Sequence, residues 1–129
     1  MRVVEAFPPN IEELKVAFPD AMGNVIFAYG DIIYDPWFLG IAPWNHVHEK
    51  VHEAQQGEMG VKEWWRKYIA DPAFRVSQEI PAYRAEYQFL KTQTGMDSFR
   101  WAQKFATALS GPNYGNAISY GDALKAIIS

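Results

Sequence analysis

The sequence predicts a mainly α single domain carrying one small β-hairpin, and three observations lead there. Apolar residues recur at helical spacing in several segments, each opened by a capping residue or proline and closed by glycine or proline. One pair of short β-rich runs flanks Gly30-Asp31. The 129 residues contain no repeat, no low-complexity stretch and no linker, so 1–129 reads as one unit, large enough for a real core.

In chain order, Phe7-Pro8-Pro9-Asn10 comes first. Asn10 is placed to cap a short helix to about Phe18, with Ile11, Leu14 and Phe18 on one stripe, and Pro19-Asp20 ends it. Asn24 to Tyr29 and Ile32 to Tyr34 are β-rich, and the Gly30-Asp31 pair between them fits a type II′ turn. A hairpin this small is unstable alone in water, so it must lie on helices. It covers the core, offers an exposed edge to an extended peptide, or both. Trp37 to Trp44 is an apolar connector into a helix begun near Pro43 or capped by Asn45, which should stop at Gly57. After Gly60, the spacing of Val61, Trp64 or Trp65, Tyr68 and Ile69 predicts a helix of about ten residues, its paired tryptophans in the core.

Asp71-Pro72 restarts the helix as N-cap and first-turn proline. The segment that follows carries Phe74, Arg75, Gln78, Glu79, Ala82, Tyr83, Glu86, Tyr87 and Leu90, and ends near Gly95. Asp97 caps a helix whose buried stripe is Trp101, Phe105 and Ala108 or Leu109, and Ser110-Gly111-Pro112-Asn113 breaks it. Ser119 with Asp122 forms a capping arrangement for a last helix to about Ile128.

Hydrophobic residues make up 49% and aromatics 16% of the chain, which excludes disorder. With no cysteine, a disulfide framework, a thiolate nucleophile and a Cys-type zinc site are excluded, so a metal must be held by His and carboxylate. Net charge is −3, and the basic group Lys62, Arg66 and Lys67 is the wet side of a helix, so no nucleic-acid partner is expected. Met1 to Ala6 lack an apolar signal core and no run approaches a membrane span. No membrane partner is therefore expected, and the cytoplasm is the expected location.

All three histidines lie in His46-Val47-His48-Glu49-Lys50-Val51-His52, which spells H-E-x-x-H from His48 to His52. At about 100° per residue the two imidazoles of that motif fall one turn apart on one meridian, where both can grip one ion. Glu49 sits beside them, placed to take a proton from an activated water without being a ligand. Gln55 returns to the same face, where it hydrogen-bonds a ligand or faces substrate. The pattern also arises by accident, and a helix rich in His, Glu and Lys is often only a solvated face. The short chain, the clustering of the histidines and a second carboxylate-bearing helix favour the metal.

A catalytic zinc site usually takes three protein ligands. The metzincin continuation is excluded, because Gln55 and Glu58 stand where that pattern has glycine and histidine. The other common solution is a glutamate from a later helix. Glu53 and Glu58 point away from the line between His48 and His52, and Glu63 lies on a wet face. Glu79, 27 residues past His52, leaves room for the chain to cross and return. Pro81 should kink the helix around Ser77 to Glu79 or make it begin there, which keeps Glu86 open as the third ligand. A set of His46, His48 and His52 is open as well.

These residues resemble a known family. His48 to Gln55, then Asp71-Pro72-Ala73-Phe74-Arg75 and Gln78-Glu79-Ile80-Pro81-Ala82-Tyr83, look like the small gluzincin-type metallopeptidase domains, which include phage and prophage proteins of this size. The likeness covers about Val25 to Tyr87. It implies a minimal zincin-like fold in which the H-E-x-x-H helix packs on a second ligand-bearing helix, with zinc held by His48, His52 and Glu79 and with Glu49 as general base. Ala82 and Tyr83 match the small and polar positions that follow the ligand glutamate in thermolysin-like enzymes. An upstream β-edge along the substrate groove is also implied, which would give Val25 to Tyr34 a purpose.

The activity implied is hydrolysis of peptide bonds in a peptide or protein substrate. Tyr83, Tyr87, Arg84, Tyr114 or His46 can supply the oxyanion donor, with Tyr83 the catalytic candidate beside Glu49. The alternative is a non-catalytic zinc-binding or interaction protein that retains the fold. Glu49 favours the enzyme, because holding zinc does not require it.

Overall fold

The computed structural model describes residues 1–19 and 25–129. Its described elements are β1 (Arg2–Val4), α1 (Ile11–Ala17), β2 (Phe27–Tyr29), β3 (Ile32–Tyr34), α2 (Pro43–Met59), α3 (Val61–Ala70), α4 (Pro72–Lys91), α5 (Ser98–Leu109) and α6 (Tyr120–Ile128). A one-turn 3-10 helix, Pro112–Tyr114, precedes α6. The class is mainly α with a small sheet, as expected. The expected stop at Asp20 and the strand start at Asn24 lie outside the described residues.

β2 and β3 pair antiparallel, with Phe27 opposite Tyr34 and Tyr29 opposite Ile32. Gly30 turns the hairpin at φ +63° while Asp31 keeps a negative φ, the signs of a type II′ turn. The hairpin is not alone. β1 lies parallel to β3, Arg2 opposite Ile32 and Val4 opposite Tyr34, giving a mixed sheet of order β1-β3-β2. Three residues carry too little periodicity to announce a strand, and the partner that makes them one is distant in sequence.

The helix ends follow local chemistry, with exceptions. Asp71, Asp97 and Ser119 each accept a first-turn backbone N–H, from Ala73, Arg100 and Asp122 at 3.0–3.1 Å. Asn10 stands at the start of α1 but makes no capping hydrogen bond. α2 starts at Pro43, with Asn45 Oδ1 accepting the Ala42 N–H at 3.0 Å. It runs through exposed Gly57, where nothing forces a turn, and breaks at Gly60. α4 begins at Pro72 and continues past Pro81 to Lys91, so no helix begins at Ser77 to Glu79 and the end falls short of Gly95. Pro81 and Ser77, the residue whose carbonyl loses its partner, are both exposed, and water can serve that carbonyl.

Two apolar cores result among the described residues. Tyr87 and Leu90 of α4 join Ala102, Phe105, Ala106 and Leu109 of α5 and Ala123 and Ile127 of α6. Leu14, Phe27, Trp64 and Trp65 form the other, under the sheet. α2 is fastened to the sheet by the fully buried Gln56, whose Nε2 donates to the Ala28 carbonyl at 2.9 Å while its Oε1 accepts the Gly30 N–H at 2.7 Å. Trp65 Nε1 donates to the same carbonyl at 3.2 Å. The hairpin therefore covers core, and at Ala28 and Gly30 the β2 edge is closed to an added strand. Among the described residues, no helix is long and apolar enough to cross a membrane.

Candidate metal centre

α2 packs on α4, and their crossing brings His48 and His52 together with Glu79. One ligand atom from each lies within 4.8 Å of the others, and all three residues are buried. Four-residue spacing puts both imidazoles on the inner face of α2, and Glu79 and Glu86 sit two turns apart on the inner face of α4. Glu79 Oε1 lies 3.0 Å from His48 Nε2 and 2.8 Å from His52 Nε2. Glu86 Oε1 meets the other nitrogen of His48, Nδ1, at 2.9 Å. Glu79 thus stands among the converging nitrogens and Glu86 behind one of them.

The donor set fits a cation. Gln55 Nε2 donates to the Gln78 carbonyl at 3.0 Å, so its Oε1, 2.9 Å from His52 Nδ1, must accept, and Nδ1 carries the proton. Glu86 likewise accepts from His48 Nδ1. Neutral imidazoles in these tautomers aim both Nε2 lone pairs at a carboxylate oxygen, a set of acceptors with no donor. A proton on each ring or one metal ion resolves the conflict, and a carboxylate or amide behind each ligating histidine is what metal sites use to fix the ring.

Without a metal the charges lean on one another. Burial pushes His48 down, but its hydrogen bonds to Glu79 and Glu86 outweigh that and hold it well above the ordinary 6.5. Burial also lowers His52, and the charge of Glu79 outweighs it, leaving His52 raised. Burial raises Glu79, yet His52 and His48 hold it well below the ordinary carboxylate range.

Glu49 is buried and has no hydrogen-bond partner among the described residues. It lines a cavity of about 400 Å³ together with the cluster. Burial pushes its pKa up, against the pull of His48 and His52. The cavity lies between the two cores: the His52 ring is 5.2 Å from Trp64, and the His48 ring is 4.6 Å from Tyr83, itself stacked on Phe105 at 4.7 Å. Val25, Ile26, Phe27 and Ala28 also line it.

Of the donor candidates, Tyr83 and Tyr114 line the cavity. Arg84 is committed to the Ala126 carbonyl at 2.8 and 3.0 Å, Tyr87 belongs to the α4–α5–α6 core, and His46 is half-buried outside the lining. Glu53 and Glu58 lie outside the cluster, and Glu63 pairs with Arg66 on the surface.

Sequence reasoning placed Tyr68 in the core and missed its hydroxyl, which donates to Glu79 Oε2 at 2.5 Å. Tyr114 donates to the same oxygen at 3.2 Å. Burial first, and then the charge of Glu79, hold both phenols well above the ordinary 10, so they stay protonated donors. Arg75, read only as part of a motif, donates to the Asn113 carbonyl and thereby fixes the turn that carries Tyr114. Gly115 in that turn has φ +65°, and a Cβ there would lie 2.7 Å from Pro72, so the turn sits against the start of α4 only as glycine. No known protein family, curated protein or solved structure matches the chain.

Proposed function

We propose that the protein is a zinc-dependent peptidase whose metal is held by His48, His52 and Glu79. The observation that carries this reading is the convergence of both Nε2 atoms and one Glu79 oxygen, with Glu49, which has no hydrogen-bond partner among the described residues, lining the same cavity. A bound zinc ion supplies a Lewis acid that polarises a carbonyl and brings the pKa of water towards neutrality. Glu49 takes the proton of the attacking water and passes it to the leaving amine as the carbon–nitrogen bond breaks. Tyr83 donates a hydrogen bond to the carbonyl oxygen as negative charge builds there, an interaction worth about 3 kcal/mol in other enzymes. Glu86 and Gln55 hold the two imidazoles in the tautomers that leave Nε2 free.

The substrate this chemistry suits is a peptide or protein segment. A second reading, a non-catalytic zinc-binding protein, draws support from the Ala28 carbonyl, which Gln56 and Trp65 already occupy. Zinc analysis and titration come first: wild type should bind one zinc and Glu79→Ala should lose it, and a wild type without zinc affinity ends the proposal. Glu49→Gln should then keep zinc and lose about 10²–10⁴-fold in hydrolysis of a peptide library. Zinc-loaded wild type with no hydrolysis would leave the non-catalytic reading standing.

A further inference from the structure

A carboxylate ligand can give a metal one oxygen or both, and the choice decides whether a two-histidine site keeps a position open for water. In this chain the two oxygens of Glu79 are divided. Oε1 faces His48 Nε2 and His52 Nε2, while Oε2 accepts from Tyr68 at 2.5 Å and Tyr114 at 3.2 Å. We propose that Tyr68 and Tyr114 are positioning residues that keep Glu79 a one-oxygen ligand and so hold the fourth position open beside Glu49. The inference rests on the metal reading above.

Three features support it. The phenols come from separate elements, α3 and the turn before α6. Tyr68 stacks on Trp64 with ring centres 4.8 Å apart, and Tyr114 rides on the turn that Arg75 and Gly115 hold. Phenylalanine would fill the same space, and a buried hydroxyl is costly unless bonded. Both residues direct that hydroxyl to one oxygen atom. A phenol is also neutral, whereas lysine or arginine at either place would offset the charge of Glu79 and weaken it as a ligand.

The test uses the full chain with zinc and with cobalt(II), whose visible absorption weakens as coordination number rises. Tyr68→Phe, Tyr114→Phe and the double variant remove the hydroxyls and keep the rings. Each single change should weaken zinc roughly tenfold and the pair up to about a hundredfold, the range for partners behind metal ligands. The double variant's cobalt band should fall several-fold in intensity, with kcat falling and KM little changed on any peptide that wild type cleaves. A double variant with the wild-type cobalt spectrum and zinc affinity overturns the proposal and leaves the metal reading intact. A wild type that binds neither ion overturns both. Should the double variant fail to show a native circular dichroism spectrum, the cobalt spectrum and zinc affinity of Tyr114→Phe decide in the same way.

Discussion

Helices α4 and α5 lie side by side and bury residues at the same spacing, but they bury different chemistry. α5 turns Ala102, Phe105, Ala106 and Leu109 inward, an unbroken apolar stripe. α4 buries Arg75, Val76, Glu79, Ala82, Glu86, Tyr87 and Leu90, charged and apolar residues on one face. Each buried charge costs several kcal/mol in desolvation before its partners offset it, a cost α5 does not carry. α4 meets it with two imidazoles on Glu79, a third ring nitrogen on Glu86 and backbone carbonyls under Arg75. A helix selected for stability alone would look like α5, so the polar half of α4 marks where the fold serves a site.

The sharpest separation of the two comes from Leu109, which is fully buried in the apolar core. Leu109→Ala should cost about 2–5 kcal/mol in urea or thermal unfolding. Zinc should stabilise wild type and this variant by the same increment, about 4 kcal/mol at a thousandfold excess over Kd. Glu79→Ala should lose that increment. If zinc stabilised Leu109→Ala far less than wild type, the apolar core and the polar cluster would not be separable units.

Acidity divides the regions in a second way, since the α5 stripe has nothing to titrate. In the metal-free protein the raised imidazoles of His48 and His52 contribute stability below their ordinary 6.5, and that contribution is lost as pH climbs through their higher folded values. The lowered carboxylate of Glu79 contributes above its ordinary 4.5 and loses that contribution as pH falls through its folded value. Metal-free protein should therefore lose several degrees of Tm as pH rises from the ordinary histidine value of 6.5 through the raised values of His48 and His52. Zinc competes with protons for the same nitrogens, so its affinity should rise over that range. Differential scanning calorimetry with chelator or with zinc checks both slopes, and a flat metal-free Tm would mean that the imidazoles are not charged in the fold.

The contrast between the helices also explains what the sequence disclosed. α5 was legible because Asp97 caps it and its apolar residues repeat at helical spacing, both local signals. The His48–His52 face was legible from helix geometry alone, and so was the return of Gln55 to it. Glu79 and Glu86 share one stripe of α4, two turns apart, so spacing could not rank them. Only the tertiary register of α4 against α2 decides which meets the Nε2 atoms. Tyr68 was hidden because a tyrosine in an apolar stripe reads the same whether or not its hydroxyl has work to do. β1 was hidden because its partner, not its own three residues, makes it a strand.

That register makes Glu86 the finest test of the contrast. Its Oε1 accepts from His48 Nδ1 at 2.9 Å, so it touches the proposed metal only through the ring. Glu86→Gln keeps the shape and an acceptor oxygen but removes the charge that makes the imidazole a stronger donor. The loss expected in zinc affinity is about 10–100-fold, or roughly 1.4–2.7 kcal/mol, smaller than the core cost of Leu109→Ala at its upper end. A chelator competition reads it, alongside unfolding of the metal-free variant. Weakened zinc would place the second buried carboxylate of α4 in the service of the site. Unchanged zinc with lower metal-free stability would instead make Glu86 a structural partner of His48, and only the half of α4 up to Glu79 would differ in purpose from α5.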